Sequence, residues 1–115
     1  MRLNHPQGVA AEDKAWAFLQ AQGCTLVARN WHCPYGEIDL IVQHQHQLLF
    51  VEVKYRKNNA FGGAAYSINA SKLAKLTRAA EHYLQQHHLT QTPCRIDAVL
   101  LTADTAPVWL YNITG

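Results

Sequence analysis

Asp39, followed after twelve intervening residues by Glu52-Val53-Lys54, is the arrangement in this sequence best suited to chemistry. Both carboxylates interrupt apolar segments, Ile38 to Val42 and Leu48 to Tyr55, where an ionised oxygen is costly unless something compensates it. Strand alternation puts Glu37, Asp39 and Ile41 on one face, with Ile38, Leu40 and Val42 on the other. In the next segment Glu52, Lys54 and Arg56 share a face. A tight turn at Gln45-His46 would set Asp39 opposite Glu52 and Glu37 opposite Lys54. Glu12 is the third informative carboxylate. At helical spacing it falls with Val9, Trp16 and Leu19 in one arc of about 80°, and so points towards the sheet. A buried Glu12 satisfied by Arg29 or by backbone donors is the structural alternative.

Glu12, Asp39 and Glu52 carry three negative charges, and Lys54 returns one positive. Partly burying the remainder costs several kcal/mol or forces a carboxylate to protonate, and one divalent cation would neutralise it. Hard oxygen ligands with no suitable Cys or His nearby point to Mg²⁺ or Mn²⁺. The expected ligands are Asp39 and Glu52, with Glu12 and the backbone carbonyl of Val53 as further candidates. A structural ion network without metal is the competing reading. Such a cation beside a lysine suits phosphodiester hydrolysis, in which Lys54 orients or deprotonates the attacking water and stabilises charge on the phosphate.

The distribution of basic residues fits a phosphate-bearing partner. Residues 53 to 80 hold six of them (Lys54, Arg56, Lys57, Lys72, Lys75 and Arg78) and no acid, whereas the rest of the chain has a net charge of −4. Arg56, Lys57, Lys72, Lys75 and Arg78 are therefore the candidates for contact with DNA or RNA, and a merely solvated face is the alternative. Trp31 and Tyr35 are candidates for stacking on bases. Trp16 and Trp109 read as core, and His44 and His46 as polar residues of a turn.

These residues need a scaffold, and the hydrophobic pattern supplies one. Residues 7 to 22 read as a helix ended by Gly23, and 24 to 31 as a strand. Pro34-Tyr35-Gly36 is a turn leading into a hairpin of two strands, Ile38 to Val42 and Leu48 to Tyr55. A long loop is expected over 58 to 70. A second helix follows from a Ser71 N-cap to about His88, with Leu73, Leu76, Ala80, Tyr83 and Leu84 in one stripe. Arg95 to Leu101 and Val108 to Tyr111 complete the order α-β-β-β-α-β-β, with Arg95 and Asp97 expected to pair structurally.

A chain of 115 residues has room for one α/β domain spanning 1–115. No window approaches the roughly 18 apolar residues of a membrane span, and the first residues lack the apolar run of a secretion signal. The expected location is the cytoplasm. Cys24, Cys33 and Cys94 show no CxxC spacing, so buried thiols are favoured over a zinc site built with His32.

Gly36-Glu37-Ile38-Asp39-Leu40-Ile41, followed by Phe50-Val51-Glu52-Val53-Lys54-Tyr55-Arg56, resembles the YraN-like family of small bacterial proteins. Gly8 with Ala11-Glu12, Arg29-Asn30, Phe61-Gly62, Lys72 and Arg95-Ile96-Asp97 fit the same pattern, across nearly the whole chain. The resemblance implies a restriction-endonuclease-like (PD-(D/E)XK) fold, a mixed central sheet flanked by helices, similar to archaeal Holliday-junction resolvases. It also implies metal ligands at Asp39 and Glu52, a catalytic lysine at Lys54 and a site glutamate at Glu12. The chain departs from the pattern at the hairpin tip, where His44 and His46 replace the usual Asp/Gly turn. The expected function is a Mg²⁺- or Mn²⁺-dependent endonuclease acting on DNA or RNA. The alternative is a nucleic-acid-binding accessory with little activity of its own, and a zinc- or thiol-dependent regulator is weaker. No membrane partner is expected, and a homodimer is left open.

Overall fold

The computed structural model describes residues 6–56 and 68–114, with side chains from residue 9 onwards. The elements follow the expected order: α1 (Pro6–Ala21), β1 (Thr25–Cys33), β2 (Gly36–His44), β3 (Gln47–Arg56), α2 (Ala70–Gln86), β4 (Cys94–Thr102) and β5 (Val108–Leu110). Much of the loop expected over 58 to 70 lies outside the described residues, as do Lys57, Phe61 and Gly62.

Local chemistry explains the element ends. Helix α1 stops where Gly23 takes φ +96°, with Gly23 N–H donating to Gln20 O and Cys24 N–H to Leu19 O. That pair of bonds is a Schellman closure and needs a left-handed residue at its corner. Helix α2 is capped by Asn69 rather than the expected Ser71: Asn69 Oδ1 accepts from Lys72 N at 2.8 Å. The cap lies two residues earlier because the amide three positions after Asn69 is the unsatisfied one that its side chain reaches.

The five strands lie in the order β1-β2-β3-β4-β5. The first three meander antiparallel, α2 carries the chain over to a parallel β3–β4 pair, and β5 returns antiparallel. Each helix covers one face. Ala11, Ala15 and Leu19 of α1 pack on Leu40, Val42, Leu49, Val51, Val99 and Leu101. Leu76, Ala79, Ala80 and Tyr83 of α2 pack on Ile38, Ile41, Leu48, Phe50 and Ile96.

The β2–β3 hairpin closes at Gln45-His46, whose φ angles of 51° and 69° are those of a tight I′-type turn despite the absence of Asn-Gly. Its register is the expected one, from His44 opposite Gln47 to Leu40 opposite Val51. Beyond that pair the ladder stops, and strict alternation fails with it. Ile38 was expected to share a face with Leu40 and Val42, but it joins Ile41 on the α2 side. The irregularity has a visible partner in β1. Arg29 pairs with Leu40 and Trp31 with Ile38, while the ladder skips Asn30 and Asp39, and Asn30 has φ +51°. Asn tolerates this left-handed backbone better than most residues, because its short amide can bond locally.

Candidate active site

Asp39 therefore sits where β2 leaves regular pairing, next to the central strand β3. Freed from the ladder, its Oδ2 accepts a hydrogen bond from Val53 N at 2.9 Å. Its carboxyl also meets that of Glu52 within hydrogen-bonding reach. Glu52 is buried, and its Oε2 is enclosed without accepting a hydrogen bond. The charge beside that oxygen is the Lys72 ammonium at 3.2 Å, close enough for an ion pair yet out of line for a hydrogen bond. Burial pushes the Asp39 carboxyl up to about 7. The hydrogen bond to Glu52 and the charge of Glu52 add to the rise, and the Val53 amide and Lys72 oppose it. Two carboxyl groups this close cannot both ionise cheaply at low dielectric. The pair thus behaves as a single site that wants either a proton or a cation.

Lys54 follows Glu52 by two residues on the same strand, so alternation puts both on the α2 side of the sheet, and its side chain is half-buried. Glu37 does not oppose Lys54, because the ladder ends before reaching them. It pairs with His32 on β1, Nε2 to Oε1 at 3.2 Å.

Glu12 is buried, as its place in the apolar stripe of α1 predicts. Its Oε1 lies 3.5 Å from Arg29 Nη2, and the other arm of that guanidinium takes Asp13 at 2.9 Å. This is the structural alternative raised for Glu12, although the contact is long and Asp13 holds Arg29 more closely. Among the described residues no three His, Cys, Asp or Glu side chains converge as a metal cluster. The structure thus joins Asp39 with Glu52, adds Lys72, and leaves Glu12 on Arg29.

The other expected contacts divide by helix face. Lys75 and Arg78 are exposed on α2, and Arg56 ends β3 with Nη1 turned back to Tyr55 O. Arg78 lines an open cavity with Tyr35, Glu81, His82 and Gln85. Trp31 is half-buried edge-on against Tyr83 at 5.2 Å, which makes it part of the α2-side core rather than a free platform. Tyr35 is exposed and faces His82 at 5.7 Å. His44, expected as a plain turn residue, leans on Trp109 at 5.4 Å. The three cysteines are free thiols, but only Cys24 is buried as expected; Cys33 is half-buried and Cys94, at the start of β4, is exposed.

Sequence reasoning named Asn30 and Lys72 but missed what each does at the site. Asn30 makes the kink that frees Asp39; a polar residue inside an otherwise half-apolar strand was the available signal. Lys72 was assigned to phosphate, and nothing in its spacing linked it to Glu52, because the contact spans the β3–α2 crossover.

Residues 11–101 match the family described as "Uncharacterised protein family UPF0102". A UPF0102 protein of Neisseria gonorrhoeae is 68% identical over the full length of both chains. One from Psychromonas ingrahamii is 44% identical, over 97% of this chain and 92% of its own. Among solved structures, Hjc of Archaeoglobus fulgidus, a Holliday junction resolvase, superposes with a TM-score of 0.61 at 17% identity, covering 91% of this chain and 77% of that one. At that identity the likeness establishes a shared restriction-endonuclease-like fold, as the motif residues led us to expect.

Proposed function

We propose, from the premise that this chain belongs to the UPF0102 family and has the fold of a resolvase, that it is a nuclease dependent on Mg²⁺ or Mn²⁺. The observation that carries this reading is the pairing of half-buried Asp39 with buried Glu52, one oxygen of Glu52 being enclosed and accepting no hydrogen bond. Those oxygens suit a hard divalent cation, which Asp39 and Glu52 would hold, with the backbone carbonyl of Val53 and Glu12 as further ligands. When bound, such a cation polarises a phosphoryl oxygen and lowers the pKa of a coordinated water.

The chain's own residues do the rest. The Val53 amide fixes the rotamer of Asp39 through the 2.9 Å bond to its carboxylate. Lys54 orients or deprotonates the attacking water and offsets charge on the phosphate. Glu12 completes the site if the long Arg29 contact gives way, Asp13 remaining as the partner of Arg29. Arg56, Lys57, Lys72, Lys75 and Arg78 grip the nucleic-acid backbone. The resolvase neighbour makes branched DNA the first substrate to try, and we place the enzyme in the cytoplasm; among the described residues no helix is long and apolar enough to cross a membrane.

The test is purified protein incubated with four-way junctions, flaps, duplexes, single strands and RNA, with and without Mn²⁺. Cleavage should require the metal and fall at least about a hundredfold, of order 2.7 kcal/mol in barrier height, in Asp39→Ala and Glu52→Ala. Either folded variant cleaving at near the parent's rate would sink the assignment. Metal-independent binding without cleavage of any substrate would favour the accessory reading.

A further inference from the structure

Lys72 stands in a place that its helix does not favour. It occupies the third position of α2, after the Asn69 cap, where the positive end of the helix dipole opposes a cation. No acidic residue of that first turn relieves it. Its ammonium instead reaches across to the sheet, 3.2 Å from Glu52 Oε2, although its side chain is 44% exposed and could lie in water. The oxygen it meets is the enclosed one that accepts no hydrogen bond. Attraction between charges, and not hydrogen-bond geometry, holds this contact, and it falls on the atom that a cation ligated by Glu52 would use.

We infer that Lys72 is a built-in substitute for the metal: its ammonium neutralises Glu52 in the metal-free chain, is expelled when a divalent cation binds, and then becomes free to meet a substrate phosphate. The inference rests on the metal-site reading above. Two cations cannot share one carboxylate oxygen without strong repulsion, so the metal and Lys72 compete for Glu52. Loading of the metal and the grip on phosphate are thereby linked, because the lysine that leaves the carboxylate is the one added to the basic face. Without the metal, the same lysine stops the Asp39–Glu52 carboxylate pair from carrying its full negative charge next to an anionic substrate.

Mn²⁺ binding measured by electron paramagnetic resonance, with no nucleic acid present, tests the competition. Lys72→Met should bind Mn²⁺ about three- to fivefold more tightly than the parent, the range expected for loss of a half-exposed ion pair. Lys72→Arg, which keeps the charge, should stay near the parent. Amine acetylation read by mass spectrometry tests the release, and modification of Lys72 should rise when Mg²⁺ is added to the parent. Equal or weaker Mn²⁺ binding in Lys72→Met, or acetylation indifferent to Mg²⁺, overturns the inference while leaving the metal site standing. If the parent takes up no Mn²⁺, or Glu52→Gln binds it as well as the parent, the metal-site reading fails first and this inference with it.

Discussion

A carboxyl group that titrates near 7, beside a second buried carboxylate, keeps its proton over a pH range in which an ordinary aspartate has lost it. The causes at Asp39 are burial first and Glu52 second. In the unfolded chain the proton leaves near pH 4, whereas the folded, metal-free chain holds it to about 7. Between these values the folded state binds more protons, so metal-free stability should fall as pH rises from about 4 to 7 and level off above that. Asp39→Asn should remove that part of the slope. Urea midpoints at pH 4.5 and 7.5 check it: the variant should gain on the parent at the higher pH, and a gap that does not change with pH would refute the shift.

Among the elements, the kink between β1 and β2 does the most for the site. Asn30, at φ +51°, is skipped by the ladder together with Asp39, and Asp39 turns to the Val53 amide. A β-branched residue has little access to this backbone conformation. Asn30→Val should therefore cost about 1–2 kcal/mol in stability, and should reduce cleavage by more than the folded fraction explains. If the strand straightens without cost and cleavage persists, the kink is incidental. Helix α2 carries the other element-level expectation. Lys75 and Arg78 are exposed along it, while Lys72 is engaged with Glu52. Reversing both charges, in Lys75→Glu with Arg78→Glu, should weaken binding to all nucleic-acid sequences. The slope of log affinity against log salt should flatten by roughly 0.7–0.9 per lost phosphate contact. An unchanged slope would mean that α2 faces away from the substrate.

For the molecule as a whole, the sheet separates the two helices, and its far edge depends on one acid. Asp97 is fully buried (0% exposed) on β4. It accepts Arg95 Nε at 2.9 Å, Trp109 Nε1 at 2.9 Å and Asn112 N at 2.8 Å. Those bonds fasten β5 and the segment after it to the central strands, while Arg95 also lies over the Tyr111 ring at 5.1 Å. Asp97→Ala leaves a half-buried guanidinium, an indole and an amide without their acceptor. It should cost about 3 kcal/mol or more, the usual penalty for breaking a buried pair from one side. Thermal or urea unfolding of the variant would show it, and a loss well under 1 kcal/mol would mean that water replaces the carboxylate.

The order of elements, the apolar stripes and the carboxylates of interest were all legible in the sequence, because periodicity and the cost of burying charge are local properties of a chain. Even the hairpin register could be read, since a two-residue turn at Gln45-His46 leaves one pairing that keeps Leu40, Val42, Leu49 and Val51 on a common core face. Tertiary structure decided the meetings that no spacing encodes. Asp39 met Glu52 by leaving the ladder, not by standing opposite it, since a backbone kink at Asn30 overrode strict alternation. Between the two partners open to Glu12 the fold chose Arg29, already named as the structural alternative, and Lys72 found Glu52, because charged groups settle on whichever counter-charge the packed helices bring within reach. Those distances depend on how α1 and α2 lie across the sheet, which is fixed by packing against both of its faces and not by any one segment.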